Sequence, residues 1–217
     1  IRLALGEPLE DIPTGELRPG PTRRTVLAGT WLAAGVATLV TAGQTVSWFR
    51  KASVLAPRSG NGPQGIPVNR TALAAGVLRT AQSPDYRLTV SNGANVSTFT
   101  LAELASLPQT ACRLPIACVE GWSATADWSG VLLSTLVGAV GGSPDSDVRI
   151  ISLEPPGPYS RTTVPARHAR DSQTLIALEL NGEPLDLDHG YPARLIAPSR
   201  PGVLQTKWIS RIEVVQK

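Results

Sequence analysis

The chain has 217 residues, of which 42% are hydrophobic and only two are cysteine. That composition excludes an intrinsically disordered chain and a small scaffold held together by many disulfides. The net charge of +3 arises in residues 1–58, which carry seven basic and four acidic side chains, whereas residues 59–217 carry thirteen of each. Nucleic-acid-binding domains concentrate positive charge on the folded body, so nucleic acid is excluded as a partner.

An uncharged stretch near the N-terminus predicts a membrane span. Residues 1–22 are rich in proline, glycine and acidic groups and predict a polar tail or loop, and the start at Ile1 leads us to expect a piece of a longer chain. No charge occurs over the twenty-five residues 25–49. At about 1.5 Å per helical residue, this length crosses a hydrocarbon core roughly 30 Å thick. We therefore predict a transmembrane helix over residues 23–49.

Two other interpretations of this stretch stay open. Thr22, Arg23 and Arg24 begin a run, Thr-Arg-Arg-Thr-Val-Leu, that approaches a twin-arginine export signal. A buried helix of a soluble protein is the third interpretation, although the stretch has no polar face. Small residues at every fourth position would let a second helix approach closely in a membrane; they are Gly29, Ala33, Ala37 and Thr41.

The rest of the chain predicts a linker, residues 50–62, and a folded domain, residues 63–217. One short helix is predicted after the capping box of Thr100 and Glu103, and another at 131–140, ended by two glycines. The Asn181-Gly182 pair predicts a hairpin turn within 178–185. Further strands are predicted at 86–90, 113–119, 148–153, 193–197 and 208–215. Strands outnumber helices without regular alternation, so the sequence predicts an α+β domain of mixed sheets with short helices.

Cys118 is the sharpest candidate for chemistry, because it follows an apolar strand at a position where rigid elements present functional side chains. Its thiolate would serve as a nucleophile or as a soft metal ligand. A small buried cysteine and a disulfide with Cys112 are the alternatives. Thiol catalysis would need a histidine as base, but His168 falls in a basic stretch and His189 in a turn.

A second group of candidates is cationic. Arg194, Arg200 and Lys207 lie near the C-terminus, and Arg70 lies far upstream. On a domain with no net charge, such side chains would hold an anionic ligand such as phosphate. Plain surface charge is the alternative interpretation.

Three dense motifs occupy the C-terminal part of the chain. They read NGEPL at 181–185, DHGYPARLI at 188–196 and KWI at 207–209. Together with Cys118 in the run Cys-Val-Glu-Gly-Trp-Ser, they resemble the molybdopterin domain of the sulfite-oxidase family, in which a cysteine at this place binds molybdenum. The resemblance covers residues 63–217 and implies a sulfite-oxidase-type fold with a molybdenum-molybdopterin cofactor.

The resemblance implies a role for each matching residue. Cys118 would bind molybdenum through its thiolate, and Tyr159 would face the metal-oxo group as the second catalytic residue. His189 and Arg194 would hold the pterin and its phosphate by charge-assisted hydrogen bonds. The other implied cofactor contacts are Asn69, Arg70, Gln205, Thr206 and Lys207.

One departure from the family pattern concerns the substrate. Sulfite oxidases follow their cysteine with an arginine-rich turn, whereas here Glu120 stands in that turn, and a carboxylate near the metal would repel a sulfite dianion. The turn is more similar to that of the bacterial periplasmic methionine sulfoxide reductase, whose substrate is neutral. The resemblance therefore implies oxygen-atom transfer on a small sulfur oxo-compound, with S-oxide reduction favoured over sulfite oxidation.

The resemblance also implies a redox partner. No haem-ligand motif is visible, so electrons would be exchanged with a membrane cytochrome or a quinone-linked protein, with the catalytic domain anchored to the membrane outside the cytoplasm. The motifs end close to Lys217, so we expect no immunoglobulin-like dimerisation domain. Two rival functions stay open: a non-catalytic binding or assembly subunit that retains the fold, and a membrane scaffold whose helix is the working part.

Overall fold

The computed structural model of the chain describes residues 22–42, 62–118 and 121–216. Glu120, on which the preference for a neutral substrate depends, lies outside the described residues. The chain divides into two compact units, residues 1–56 and 57–217. All the predicted site residues belong to the second unit.

The first unit contains the helix α1, which spans Arg23–Ala42 and begins at the paired arginines, as the sequence predicts. Within the described residues, no helix combines the length and the apolar character needed to cross a membrane. The predicted transmembrane helix is therefore not supported, and its last residues, 43–49, lie outside the described part of the chain. The physical reason is composition, because four threonines and two glycines among the twenty residues of α1 lower its mean hydropathy.

The second unit is built from short elements joined by loops. Its described helices are α2 (Leu78–Ala81), α3 (Leu101–Ser106), α4 (Leu133–Ala139) and α5 (Ala166–Ala169). Its described strands are β1 (Leu88–Asn92), β2 (Asn95–Phe99), β3 (Gln109–Ala117), β4 (Ser123–Leu132), β5 (Val148–Ser152), β6 (Arg161–Val164), β7 (Leu175–Leu180), β8 (Glu183–Pro184), β9 (Arg194–Ile196) and β10 (Ile209–Val214). Single 3-10 turns occur at Pro63–Gly65, Leu187–His189 and Gly202–Leu204.

The strands form two five-stranded sheets. The first sheet has the order β2-β1-β10-β5-β6, and the second has the order β3-β4-β7-β8, with β9 also paired to β7. Only the β1–β10 pair is parallel among the described pairs. Because β10 lies between β1 and β5, the loop that leads into it is brought against the segment before β1 and the loop after β5. The predicted α+β class with mixed sheets is confirmed.

Two hydrophobic cores lie on opposite faces of the second sheet, and β7 contributes to both. Ile176 and Leu178 pack into the core shared with the first sheet and α4, whereas Leu175 and Ala177 pack into the core on the other face. A strand buried on both faces reads as a continuous apolar run, which explains the sequence of β7. A third cluster packs Trp208 beneath the segment before α2 and so holds that segment beside the C-terminal loop.

Two local predictions are confirmed by geometry. Thr100 caps α3, since its hydroxyl accepts from the Glu103 N–H at 3.0 Å and its own N–H donates to the Glu103 carboxylate at 2.7 Å. Asn181 and Gly182 join β7 to β8 with positive φ values of 52° and 82°, as the turn type requires.

The predicted helix over 131–140 starts two residues late. Val131 lies in β4, where it is paired with Gln109 on one side and Ile176 on the other. A strand position with neighbours on both sides gains ladder hydrogen bonds that a helix end lacks, so strand pairing extends to Leu132. The sequence also missed the edge strands β2 and β6, because polar residues interrupt their apolar pattern.

Candidate cofactor site

A cavity of about 300 Å³ opens where the loop before β10 meets the segment before α2 and the loop after β5. Six of the predicted site residues line it: Asn69, Arg70, Tyr159, Gln205, Thr206 and Lys207. Glu154 and Trp208 also line it; Trp208 belongs to the KWI motif, whereas no predicted motif includes Glu154. Residues separated by more than a hundred positions in sequence thus share one cavity.

Cys118 lies at the end of β3, beside this cavity. Its N–H donates to the Trp122 carbonyl at 2.9 Å, and the Gly121 N–H donates to the Cys118 carbonyl at 3.1 Å. Both bonds join the backbone of Cys118 to residues beyond it, and its thiol is half-buried. The side-chain amide of Asn69, which lines the cavity, lies 3.5 Å from the Cys118 sulfur. Neither Cys118 nor Cys112 is in a disulfide, so the disulfide alternative is wrong.

His189 is 1% exposed and lies at the end of the 3-10 turn Leu187–His189. Its Nε2 lies 2.7 Å from the Pro63 carbonyl. Burial lowers the pKa of His189 to about 4, so the ring is neutral at physiological pH. A carbonyl only accepts, so Nε2 donates and Nδ1 is left as an acceptor. The expected charge-assisted bond from His189 would require a protonated ring, which burial disfavours.

Arg194 is 2% exposed and has no ion-pair partner among the described carboxylates. One guanidinium nitrogen donates to the His189 carbonyl at 2.9 Å, and the group lies 5.0 Å from the ring centre of Trp128. Its Nε is buried without an acceptor in the described part of the chain. Burial lowers the pKa of Arg194 to about 9. A buried cation without a counter-charge is costly, which favours a bound anion here.

Lys207 adds a second cation. Its ammonium donates to the carbonyls of Arg70, at 2.9 Å, and Asp188, at 2.6 Å. Burial, followed by the charge of Arg194, lowers the pKa of Lys207 to about 7. The two cations approach closely because Gly190 lies between them: a Cβ there would stand 3.0 Å from the Arg194 Cβ and 3.1 Å from the Lys207 Cβ. His189, Arg194 and Lys207 are called the buried basic cluster below.

The buried basic cluster fits a cofactor that carries phosphate. It offers two cations and no paired carboxylate, and phosphate is the group that such donors bind. Gln205, 2% exposed, supplies an acceptor, because its Oε1 is buried and receives no hydrogen bond from the described residues. That oxygen suits the N–H groups of a pterin. The residues present therefore fit a phosphorylated pterin.

A second cluster lies at the rim of the cavity and comprises Arg70, Glu154 and Tyr159. Arg70 donates to one Glu154 carboxylate oxygen from Nε, at 2.9 Å, and from a terminal nitrogen, at 2.8 Å. The guanidinium also lies 5.6 Å from the ring centre of Tyr159, which is 49% exposed. The one sequence signal for Glu154 was a carboxylate five residues before Tyr159 in a proline-rich loop. These residues are called the rim cluster below.

Arg200 does not join the other predicted cations. Its guanidinium donates to the Thr162 hydroxyl at 3.2 Å and to the Thr163 carbonyl at 3.0 Å, both on β6. Neither Arg200 nor Arg194 is among the residues that line the cavity, but Arg194 lies beside the cavity-lining Lys207, across Gly190. The backbone carbonyl of Arg200 instead accepts from the Gln205 amide at 2.7 Å, which orients Gln205. The predicted cationic cluster is thus corrected to Arg70, Arg194 and Lys207.

The comparisons with known proteins point to an oxidoreductase. Residues 75–217 match the oxidoreductase molybdopterin binding domain. The chain is 32% identical over 158 residues to the mitochondrial sulfite oxidase of Drosophila melanogaster, covering 61% of this chain and 28% of that protein. It is also 32% identical over 138 residues to a protein of Azospira oryzae named "Putative protein-methionine-sulfoxide reductase subunit YedZ1", covering 63% of this chain and 52% of that protein.

A solved structure agrees with these matches. The sulfane dehydrogenase SoxCD from Paracoccus pantotrophus superposes with a TM-score of 0.55 at 25% identity, over 62% of this chain and 39% of that chain. The chain belongs to the family of oxidoreductase domains that bind molybdopterin, of the sulfite-oxidase type. It spans about a quarter of the insect sulfite oxidase and about half of the Azospira protein.

Proposed function

We propose that residues 63–217 form a molybdenum-molybdopterin oxidoreductase domain that transfers an oxygen atom to or from a small sulfur oxo-compound. Reduction of a neutral S-oxide is preferred over oxidation of sulfite. In that reduction the sulfur–oxygen bond breaks, the sulfur takes up two electrons, and the oxygen leaves as water with two protons. The observation that carries the proposal is the burial of Arg194 and Lys207, without a paired carboxylate, beside a cavity whose edge lies next to Cys118.

The proposed roles follow from the contacts of each residue. Cys118 would supply its thiolate to molybdenum, and the Asn69 amide would orient that sulfur across 3.5 Å. Tyr159 would face the reacting oxygen, since its ring lies on the cavity rim. When bound, the molybdenum centre supplies the oxygen-atom transfer chemistry, while the protein supplies position and electrostatics.

The cofactor would be held by the loop before β10. Arg194 and Lys207 would neutralise its phosphate, and Gln205 would accept from a pterin N–H through its buried oxygen. His189 would contribute the acceptor Nδ1 of a neutral ring, and Thr206 and Arg70 would complete the contacts from the walls of the cavity. These roles place the anion-binding groups deep and the substrate-facing groups at the rim.

We further propose that the domain works outside the cytoplasm and exchanges electrons with a membrane cytochrome or quinone-linked partner. The two-electron reaction needs such a donor, because the sequence carries no visible haem-ligand motif. The relative from Azospira oryzae is named a subunit, which supports function in an assembly.

The test is the molybdenum content of protein made in a cofactor-competent host. We expect near-stoichiometric metal in the wild type and its loss in Cys118→Ser. Cys112→Ser is the matched control, because Cys112 is also half-buried, whereas it is the sulfur of Cys118 that lies 3.5 Å from the cavity-lining Asn69 amide. Folded wild-type protein without molybdenum would favour a non-catalytic binding or assembly subunit. Equal metal in both serine variants would reject Cys118 as the ligand.

Substrate preference is tested separately on the metal-loaded protein. We expect reduction of dimethyl sulfoxide and related neutral S-oxides with an artificial electron donor. Rapid turnover of sulfite, with slow turnover of S-oxides, would contradict the preference while leaving the cofactor assignment intact.

A further inference from the structure

We propose that Glu154 determines substrate charge: by neutralising Arg70 at the cavity rim, it removes the attraction that an anionic substrate would otherwise meet there. This inference rests on the proposed function and deepens it. Nothing in the sequence motifs points to Glu154, which enters through its contacts alone.

Arg70 and Glu154 form an ion pair at the cavity rim. Arg70 places both Nε and a terminal nitrogen on a single oxygen of Glu154, at 2.9 and 2.8 Å. The Glu154 side chain is only 6% exposed, whereas that of Arg70 is 38% exposed. A carboxylate with so little access to water is costly unless it is paired, so Glu154 and Arg70 are held together as one neutral unit.

Hydrogen bonds hold the loop that carries Glu154. Its N–H donates to the Ser152 hydroxyl at 3.1 Å, and that hydroxyl donates to the Lys207 carbonyl at 2.8 Å. These bonds link the backbone of Glu154 to that of Lys207, which also lines the cavity. Arg70 is fixed from the other side by the ring of Tyr159, at 5.6 Å. Both members of the pair are therefore linked to other residues that line the cavity, Glu154 through Ser152.

The charged residues among those that line the cavity are Arg70, Lys207 and Glu154. Lys207 directs two of its N–H donors to backbone carbonyls and lies beside the buried Arg194. Arg70 is the cation nearest the solvent, and Glu154 cancels it. A neutral S-oxide enters such a rim without loss, and a dianion meets there only the neutral Arg70–Glu154 pair. The remaining cation, Lys207, would be compensated by the phosphate of the bound cofactor.

The experiment compares wild type with Glu154→Gln, both loaded with molybdenum, and uses sulfate as the dianionic probe. Removing one negative charge beside Arg70 should let sulfate inhibit dimethyl sulfoxide reduction about tenfold more tightly. The KM for dimethyl sulfoxide itself should stay within about twofold, because that substrate is neutral. Independently of activity, sulfate at constant ionic strength should raise the Tm of the variant at about tenfold lower concentration.

Two further variants separate charge selection from general effects. Glu213→Gln removes the same charge from a pair with Arg149 and Arg211 outside the cavity, and should respond to sulfate as the wild type does. Arg70→Gln combined with Glu154→Gln restores the neutral rim, and its sulfate response should return to that of the wild type. Because Arg70 is also a proposed cofactor contact, this response is measured on the metal-loaded fraction.

Each outcome either supports the role of Glu154 or overturns it. A sulfate response in Glu154→Gln that equals the wild type, or a double variant that keeps the tighter response, overturns the inference and leaves the proposed function standing. Loss of molybdenum from Glu154→Gln alone also overturns it, since Glu154 would then serve to hold the cofactor. Wild-type protein without molybdenum would contradict the proposed function itself, on which the inference rests.

Discussion

Arg194 and Lys207 in the buried basic cluster are held by backbone carbonyls, whereas Arg70 in the rim cluster is held by the carboxylate of Glu154. Burial opposes the charge of the first two cations, as the lowered pKa of each one shows, and neither forms an ion pair among the described residues. Arg70, with 38% of its side chain exposed, is compensated although water could have solvated it. The two clusters therefore invert the usual relation between burial and pairing.

The contrast indicates that the buried basic cluster and the rim cluster would bind different ligands. An uncompensated buried cation carries an electrostatic cost that a bound anion would relieve, which supports our proposal that the buried basic cluster binds the phosphate of the cofactor. A compensated rim exerts no net attraction on anions that come and go with turnover. Four experiments would break or sharpen this comparison.

The largest expected effect is that of Arg194→Met. Removing this cation should reduce molybdenum occupancy at least about tenfold, since one charge-assisted contact to phosphate is worth that much or more. In the cofactor-free protein the same change should raise the free energy of unfolding by about 1 to 4 kcal/mol, because a buried unpaired charge is replaced by an apolar side chain of similar size. Elemental analysis and urea unfolding measure the two effects.

Leu195→Ala is the control for Arg194→Met, because Leu195 is 0% exposed and adjacent in sequence. It should lower the free energy of unfolding by about 2 to 5 kcal/mol, as buried leucines generally do. A similar fall for Arg194→Met would show that the arginine stabilises the cofactor-free fold, and the comparison between the clusters would be lost.

Gly190→Ala should come next. Gly190 has φ of 111°, and its added Cβ would press on the Cβ atoms of Arg194 and Lys207, so the free energy of unfolding should fall by about 1 to 3 kcal/mol. Molybdenum occupancy should fall with it, because the two cations are forced apart. Gly93→Ala is the matched control: its φ is 60° and no atom lies within 4 Å, so it should cost about 1 to 2 kcal/mol and leave occupancy unchanged. Equal occupancy in both variants would argue against close approach of the cations.

The pH dependence of the free energy of unfolding tests the buried basic cluster without a mutation, in the cofactor-free protein. Lys207 has a folded pKa of about 7, below its unfolded value, so the unfolded chain holds the extra proton above pH 7. The free energy of unfolding should therefore rise from pH 7 towards pH 10. His189, with a folded pKa of about 4, should make it fall as the pH drops below about 6.5.

Urea unfolding at a series of pH values measures this profile. Lys207→Gln should flatten the rise above pH 7, and bound cofactor should do the same, because a phosphate keeps the ammonium protonated. A wild-type profile that is already flat above pH 7 would mean that Lys207 is not destabilised by burial.

Tyr159→Phe should have the smallest effect on stability, within about 0.5 kcal/mol, because half of the side chain is exposed. The ring that faces Arg70 is retained, so molybdenum occupancy should not change. The kcat for S-oxide reduction should fall about tenfold or more if the hydroxyl contacts the reacting oxygen. An unchanged kcat would remove Tyr159 from the catalytic group and leave it as a support for Arg70.

Most residues of the candidate site were predicted from sequence motifs. The pairing of its charged side chains was not. Asn69, Tyr159 and Lys207 were matched by motif, and all three line one cavity. Glu154 was missed because a single carboxylate in a loop has no pattern until its partner is known. Arg200 was grouped wrongly because spacing along a loop does not reveal which way a side chain turns, and here it turns to β6.

Local elements depended on the same distinction. The capping box at Thr100 and the turn at Asn181 and Gly182 involve only neighbours in sequence, so local chemistry sufficed to predict them. Val131 instead joined a strand because Gln109 and Ile176 offered it partners on two sides. The α1 helix began at Arg23 as predicted, but its threonines and glycines left it short of the apolar character of a membrane span.

By itself, the sequence determined the α+β class, the family and the short elements held by neighbouring residues, because these depend on periodicity, turn chemistry and motif spacing. Only the tertiary structure decided which charges meet. Pairing of β10 with β1 and β5 brings Arg70, Glu154 and Lys207 around one cavity, from positions far apart in the chain. Electrostatic energy depends on distance in space and on access to water, and neither quantity is written in the order of the residues.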